Sequence, residues 1–79
     1  MTGKQLRAKR RMLHVTQREL CEAAGIPWAM LSAIEHDWLV PQQPSCDDLA
    51  HMAQGIAMER IDKAIAEIEE LEREPIAAG

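Results

Sequence analysis

Apolar residues recur at helical spacing in four stretches of the chain, separated by short polar segments. The positions predicted to face inward are Leu6 and Leu13, then Leu20 and Ala24, then Leu31 and Ile34, and finally Leu49, Met52, Ala53 and Ile56. Because these steps follow the period of an α-helix and not the alternation of a strand, we expect helices only. The predicted ranges are Gly3 to Leu13, Gln17 to Ala24, Pro27 to His36 and a fourth helix after Ser45.

Polar residues mark the predicted helix starts. Thr2 precedes Gln5 by three positions, and Thr16 precedes Glu19 by the same interval. This spacing is typical of a capping box, in which the two side chains bond each other's backbone N–H groups. Ser45, followed by acidic residues in the first turn, is the predicted N-cap of the fourth helix.

The second and third helices are separated by a very short connection. Gly25 suits the left-handed position that ends a helix, and Pro27 suits the first turn of the next one. Leu20 and Ala24 form one apolar stripe before this connection, and Leu31 and Ile34 form another after it. The sequence therefore predicts a helix-turn-helix, with one face of the third helix left outside the core.

The fourth helix has one weak point, Gly55, before Pro75. Beyond it, apolar residues step by four and three, as in a coiled-coil seam, beside a charged face. We call the following residues the C-terminal apolar strip and predict that they form a dimer interface: Ala57, Ile61, Ala64, Ile65, Ile68 and Leu71. An unbroken helix to residue 74 and a kink at Gly55 are equally compatible with the sequence.

The chain of 79 residues is predicted to contain one small domain with an added helix. We expect a helix-turn-helix domain over residues 1–56, a dimerisation helix over 57–74 and a disordered tail over 75–79. The formal net charge of -4 is distributed unevenly. Residues 1–18 hold six basic and no acidic side chains, whereas residues 19–79 hold three basic and thirteen acidic ones. A basic end and an acidic end suit different partners.

Several residues together resemble the phage repressor and Cro family, also called the XRE type. They are the basic run Lys9-Arg10-Arg11, Gln17 after the cap of the second helix, the small Cys21, and Ser32-Ala33-Ile34-Glu35 at the end of the third helix. The resemblance covers about residues 2–56. It implies an all-α, lambda-repressor-like domain of four to five helices, here with an extended C-terminal dimerisation helix.

The resemblance also implies which residues contact double-stranded DNA. Base readout is expected from the outward strip of the third helix: Trp28, Ala29, Ser32 and Ala33. Backbone contacts are expected from Gln17, Arg11, Arg18, His36, Gln42 and Gln43. Because the readout strip has few hydrogen-bonding groups, it should recognise thymine methyls and groove shape. The alternative is that Trp28 packs onto its own domain or onto a partner protein.

Arg10 lies near the buried face of the first helix, where an unpaired charge is costly. The resemblance implies that it pairs with Glu35 at the end of the third helix. A solvated Arg10 is the alternative.

The function expected from these residues is that of a homodimeric transcriptional regulator, most simply a repressor that binds a palindromic operator at a promoter, its own included. The compact form is like small regulators of phages and mobile elements. The alternative is an antitoxin or adaptor whose acidic C-terminal helix binds a protein partner. We expect a cytoplasmic protein with reduced thiols and no membrane span, catalytic group, cofactor or metal, since the Cys and His residues lack zinc-site spacing.

Overall fold

The computed structural model describes residues 1–73, and this part of the chain is α-helical with no strand. The helices are α1 (Gly3–Met12), α2 (Gln17–Ala24), α3 (Trp28–Glu35) and α4 (Cys46–Arg73). The expectation of an all-α chain is therefore confirmed for these residues. The tail predicted over 75–79, and the predicted helix end at residue 74, lie outside the described residues.

Reciprocal hydrogen bonds fix the helix starts at the predicted capping residues. The Thr16 hydroxyl accepts the Glu19 N–H at 3.1 Å, while the Glu19 carboxylate accepts the Thr16 N–H at 3.0 Å. Thr2 and Gln5 form the same arrangement at the start of α1. Ser45 forms it with Asp48, and this hydrogen bonding lowers the pKa of the Asp48 carboxyl. These short-range signals place three of the four helix starts.

Two helices end one residue earlier than predicted, and each is followed by a left-handed residue other than glycine. His14, after α1, has φ 56°, and Asp37, after α3, has φ 59°. The next N–H in each case closes the turn: Val15 donates to the Arg10 carbonyl, and Trp38 donates to the Ala33 carbonyl. This pairing is the Schellman motif. The prediction missed it because it took only glycine as a left-handed terminator.

Pro27 caps α3 and is not its first helical residue as predicted. Its backbone is extended, with φ -68° and ψ 150°, and the helix begins at Trp28. The Pro27 carbonyl accepts the N–H groups of Met30 and Leu31. The fixed φ of proline suits this position as well as the next one, because only ψ distinguishes them. Gly25 takes the predicted left-handed conformation, with φ 67°.

The core lies where α1, α2 and α3 meet the first half of α4. α4 contacts α1 and α2, and α3 also contacts α1 and α2. The largest apolar side chains with almost no exposed surface are Leu6, Val15, Leu20, Leu31, Ile34 and Leu49. Cys21 and Cys46 are also buried, and burial raises the pKa of both thiols. The inward positions predicted from the helical spacing lie in this core or, for Leu13, Ala24, Met52 and Ile56, at its edge. The buried Val15, Cys46 and Ala50 were not predicted.

Helix α4 runs through Gly55 without interruption, so the structure contains one long helix and not two. Its 28 residues span about 42 Å at a rise of 1.5 Å per residue. Arg60 fixes its direction: the guanidinium forms an ion pair with Glu19 and donates to the His14 carbonyl at 2.9 Å. Every described residue after Arg60 is exposed. The second half of α4 therefore projects from the domain.

Gly3 brings the start of α1 against the end of α3. Its N–H donates to the Asp37 carboxylate at 2.8 Å, and its Cα faces the Ile34 carbonyl. A Cβ added at Gly3 would overlap that carbonyl oxygen. Because the obstacle is backbone, it cannot move away as a side chain would, and the two helices would have to separate.

Replacing Gly3 with Ala is therefore expected to destabilise the domain by about 2 kcal/mol, since overpacking against a fixed neighbour costs ~1–3 kcal/mol. Urea denaturation followed by circular dichroism measures this loss. The matched control is Gly55→Ala, because Gly55 is helical with open space around it. That change should stabilise the helix by about 0.5–1 kcal/mol. Equal midpoints for the two variants would contradict the close approach.

Candidate nucleic-acid interface

The basic residues of α1 line a cleft together with the start of α2 and the outer face of α3. This α1–α3 cleft has a volume of about 440 Å³. Its lining residues are Arg7, Arg10, Arg11, Thr16, Gln17, Trp28, Ser32 and His36. The exposed Arg7 and Arg11 and a helix N-terminus make this surface electropositive, because the α2 dipole adds to the guanidinium charges. Such a surface suits an anion.

Arg10 and Glu35 form the expected ion pair at the base of this cleft. Nε of Arg10 donates to one carboxylate oxygen of Glu35 at 2.7 Å, and Nη2 donates to the other at 2.9 Å. The remaining guanidinium nitrogen, Nη1, donates to the Val15 carbonyl at 2.9 Å. The Glu35 side chain has no exposed surface. This bidentate geometry joins α1 to α3 and leaves no charge unpaired.

Gln17 connects the ion pair to the outer face of α3. Its Nε2 donates to Glu35 at 3.0 Å, and its Oε1 accepts the indole N–H of Trp28 at 2.8 Å. A side-chain amide carries two N–H donors, so one donor of Gln17 is still available. The sequence prediction treated Gln17 as a phosphate contact alone. The structure adds an internal role that no local pattern indicated.

The predicted readout strip is only partly outward. Trp28 is 63% exposed, and Ala29 is also exposed, whereas Ser32 and Ala33 are half-buried. Trp28 and Ser32 line the cleft, but Ala29 and Ala33 do not. Since the indole N–H is used by Gln17, Trp28 presents an apolar ring to solvent. Ala33 is less exposed than predicted.

His36 lies at the edge of the cleft, as predicted for a backbone contact. Its ring stacks on Trp38, with the centroids 4.6 Å apart and the planes at 22°. Its Nδ1 lies 2.7 Å from the Ser32 carbonyl oxygen. Because a carbonyl accepts only, Nδ1 carries the proton, and Nε2 is the nitrogen that faces outward. The orientation of this imidazole is thus fixed from two sides.

Three other predicted backbone contacts lie outside the cleft. Arg18 is highly exposed on α2 and pairs with Glu22 at 3.3 Å. Gln42 and Gln43 are exposed in the loop before α4. Gln43 borders a separate concave surface of about 750 Å³ that also contains Asp47 and Asp48. Two carboxylates beside Gln43 disfavour a phosphate there.

The C-terminal apolar strip remains uncovered except at its first residue. Ala57 packs against the domain core, so the structure places it with the core and not on the free part of the helix. Ile61, Ile65 and Ile68 are about half exposed, and Leu71 is 69% exposed. Ala64 is exposed between them. None of these exposed side chains belongs to the core cluster of the described residues.

Arg7 and Arg60 are the residues that sequence reasoning missed. Arg7 lines the cleft with Arg10 and Arg11, and the spacing of three and four residues along α1 could have revealed it. Arg60 anchors α4 through a distant turn, and nothing in the local sequence indicates that contact.

No helix among residues 1–73 has the length and apolar character needed to cross a membrane. Within the same residues, no three His, Cys, Asp or Glu side chains are arranged to hold a metal ion.

Comparisons with protein-family models, with curated proteins and with solved structures found no match to this chain.

Proposed function

We propose that this chain is a sequence-specific DNA-binding regulator of the helix-turn-helix class, with a lambda-repressor-like domain that acts as a homodimer on a palindromic operator. Occlusion of a promoter, its own included, is the simplest mode of action, because binding alone suffices for it. The observation that carries the proposal is the α1–α3 cleft. It combines the exposed Arg7 and Arg11, the N-terminus of α2 and the outer face of α3 on one surface.

The charges of the cleft favour a polyanion. α1 carries basic residues and no acidic one, and its last turn alone contains Lys9, Arg10 and Arg11. Arg10 is neutralised by Glu35, which leaves Arg7 and Arg11 exposed for phosphates. The second N–H of Gln17 and the free backbone N–H groups at the start of α2 are further phosphate donors. In this proposal α2 binds the DNA backbone and sets the register of α3.

Base readout is assigned to the exposed face of α3. Trp28 offers an apolar ring because its N–H is held by Gln17, and Ala29 offers a methyl group. Ser32 adds one adaptable hydroxyl at the cleft. A surface of this kind recognises thymine methyls and groove shape in preference to guanine. We therefore expect A·T-rich half-sites.

The experiment that tests this proposal separates affinity from specificity. Duplexes are selected from a random-sequence pool with the purified protein, and the enriched duplex is compared with a scrambled one at several salt concentrations. Arg11→Ala should weaken binding to both and reduce the salt slope by about one, as expected for one lost phosphate contact. Trp28→Ala should lower binding to the enriched duplex by about 1–3 kcal/mol and spare the scrambled one.

The matched control is Arg73→Ala, which removes the same charge from the distant end of α4. It should leave both the affinity and the salt slope unchanged. Absence of any enriched sequence would overturn the proposal of specific readout. An unchanged ratio of enriched to scrambled binding in Trp28→Ala would assign the tryptophan to packing or to a partner protein.

A second candidate is a protein-interaction module, such as an antitoxin or an adaptor. It is favoured by the C-terminal apolar strip, which is exposed beside the acidic residues Glu67, Glu69, Glu70 and Glu72. Such a helix suits a basic amphipathic partner. A protein that is monomeric and binds neither duplex at low salt would favour this candidate.

A further inference from the structure

We propose that the free half of α4 pairs with the same helix of a second copy in the antiparallel direction, with Ile61 facing Leu71 and Ala64 facing Ile68 of the other copy. This inference rests on the proposed homodimer and assigns its orientation and register. Orientation is decisive for function because it determines how far apart the two α1–α3 clefts lie.

The segment available for pairing begins after Arg60. Arg60 is held by Glu19 and by the His14 carbonyl, and Ala57 is part of the core edge. From residue 61 to residue 73 every position is exposed. The pairing residues are therefore the rest of the strip, which forms about three turns of helix. Apolar side chains exposed along one stripe of a helix mark an interaction surface, so a partner is expected.

The sizes of the seam side chains favour the antiparallel direction. A parallel pair places each seam residue against itself, so Ala64 would meet Ala64 between two layers of paired isoleucines. That layer would leave a void. The antiparallel register places Ala64 against Ile68 and Ile61 against Leu71. Small faces large in the inner layers, and the available volume is filled more evenly.

The position of Ile65 beside the seam also favours the antiparallel direction. In the antiparallel register Ile65 lies next to Ile65 of the second copy, because both occupy the flanking position nearest the centre. In a parallel pair it would lie next to Arg60, whose guanidinium is already bound within its own domain. Only the antiparallel pair buries this half-exposed side chain against an apolar one.

The charges along the free segment also favour this direction. Four glutamates lie between residues 67 and 72, whereas Lys63 lies nearer the domain. A parallel pair brings the acidic ends together and sets Glu67 against Glu72 on both sides of the seam. The antiparallel pair separates the acidic ends and leaves a single contact between the two copies of Glu67. Like charges at such positions are destabilising, so fewer contacts are preferred.

The register predicts a spacing suited to DNA. It is centred at residue 66, and the last fully buried residue of α4 is Ala53. The Ala53 residues of the two copies are then about 39 Å apart along the helix axes, at a rise of 1.5 Å per residue. Half-sites one helical turn apart are separated by about 34–36 Å. A parallel pair would instead place both domains at the same end of the seam.

Cysteine cross-linking tests the orientation. Ile61→Cys and Leu71→Cys are prepared separately, one with a larger tag, then mixed, equilibrated and oxidised. The mixture should yield about tenfold more disulfide than either variant alone, because only opposed positions fall within the Cα separation that a disulfide allows. Ala66→Cys, on the outer face, should remain unlinked. The native protein controls for its own thiols, which are buried.

Disulfide formation by Leu71→Cys alone, with no gain on mixing, would show a parallel pair and overturn this inference while leaving the homodimer intact. Absence of cross-linking in every variant, with native protein that sediments as a monomer, would overturn the pairing and the dimer together. The salt-dependent binding of native protein and Arg11→Ala to random duplex DNA is measured separately. Whether this salt-dependent binding is present decides the DNA-binding proposal independently of the cross-linking result.

Discussion

Replacing Arg10 with Ala is expected to destabilise the domain by about 3–5 kcal/mol, because it leaves a buried carboxylate without its ionic partner. Glu35 is 2% exposed and would keep only the hydrogen bond from Gln17. A loss of this size approaches the whole stability of a small domain, about 5 kcal/mol at the lower end. Urea denaturation at neutral pH measures this loss of unfolding free energy. Arg10→Ala should be largely unfolded at urea concentrations that leave the native protein folded.

The control replaces both partners. Arg10→Met together with Glu35→Met removes the unpaired charge and retains side-chain volume, so it should recover at least half of the loss. Arg10→Met alone should lie between Arg10→Ala and the double variant. A cost below about 0.5 kcal/mol for Arg10→Ala would mean that the pair behaves as a surface ion pair.

Placing charges in the C-terminal apolar strip is expected to convert the proposed homodimer to a monomer. Ile61→Asp with Ile68→Asp removes two seam residues and adds two like charges per chain. Binding to the enriched palindromic duplex should fall by about 10²- to 10⁴-fold, because the linkage of two binding domains is lost. Sedimentation at micromolar concentration and fluorescence anisotropy measure the two effects.

The matched control for this variant is Ala66→Asp with Arg73→Ala. It makes the same change in net charge on the outer face of the same helix, and it should remain dimeric. Neither pair of changes touches the core, since all four positions are exposed. If the Ile61 and Ile68 variant sediments as a dimer, self-association uses another surface and the strip has a different occupant.

The helices of this fold were largely predictable because their signals are local. Thr16 and Glu19 form a capping box within four residues, and Gly25 has a backbone preference that needs no tertiary contact. The inward residues followed from spacing alone. Local signals failed where one residue type suits two adjacent positions, as with Pro27 at the start of α3. They also failed where His14 and Asp37 adopt a conformation that glycine usually takes.

The candidate site was less predictable because its geometry comes from distant contacts. The Gln17 and Trp28 side chains meet only after α2 and α3 have packed, so neither residue reveals the hydrogen bond in sequence. The continuity of α4 at Gly55 was equally undecided. It follows from contacts on both sides of the glycine: Ala53 is buried before it, and Arg60 is anchored to Glu19 after it.

The attachment at Arg60 separates two tasks along one helix. Residues 46–57 supply buried side chains that complete the core, whereas residues 61–73 supply none. Substitutions in the second segment therefore escape the selection that maintains folding, and only the choice of partner constrains them. A different apolar pattern there would redirect association while the α1–α3 cleft kept its shape. For the proposed homodimer, the specificity of association can thus evolve independently of the stability of the domain that bears it.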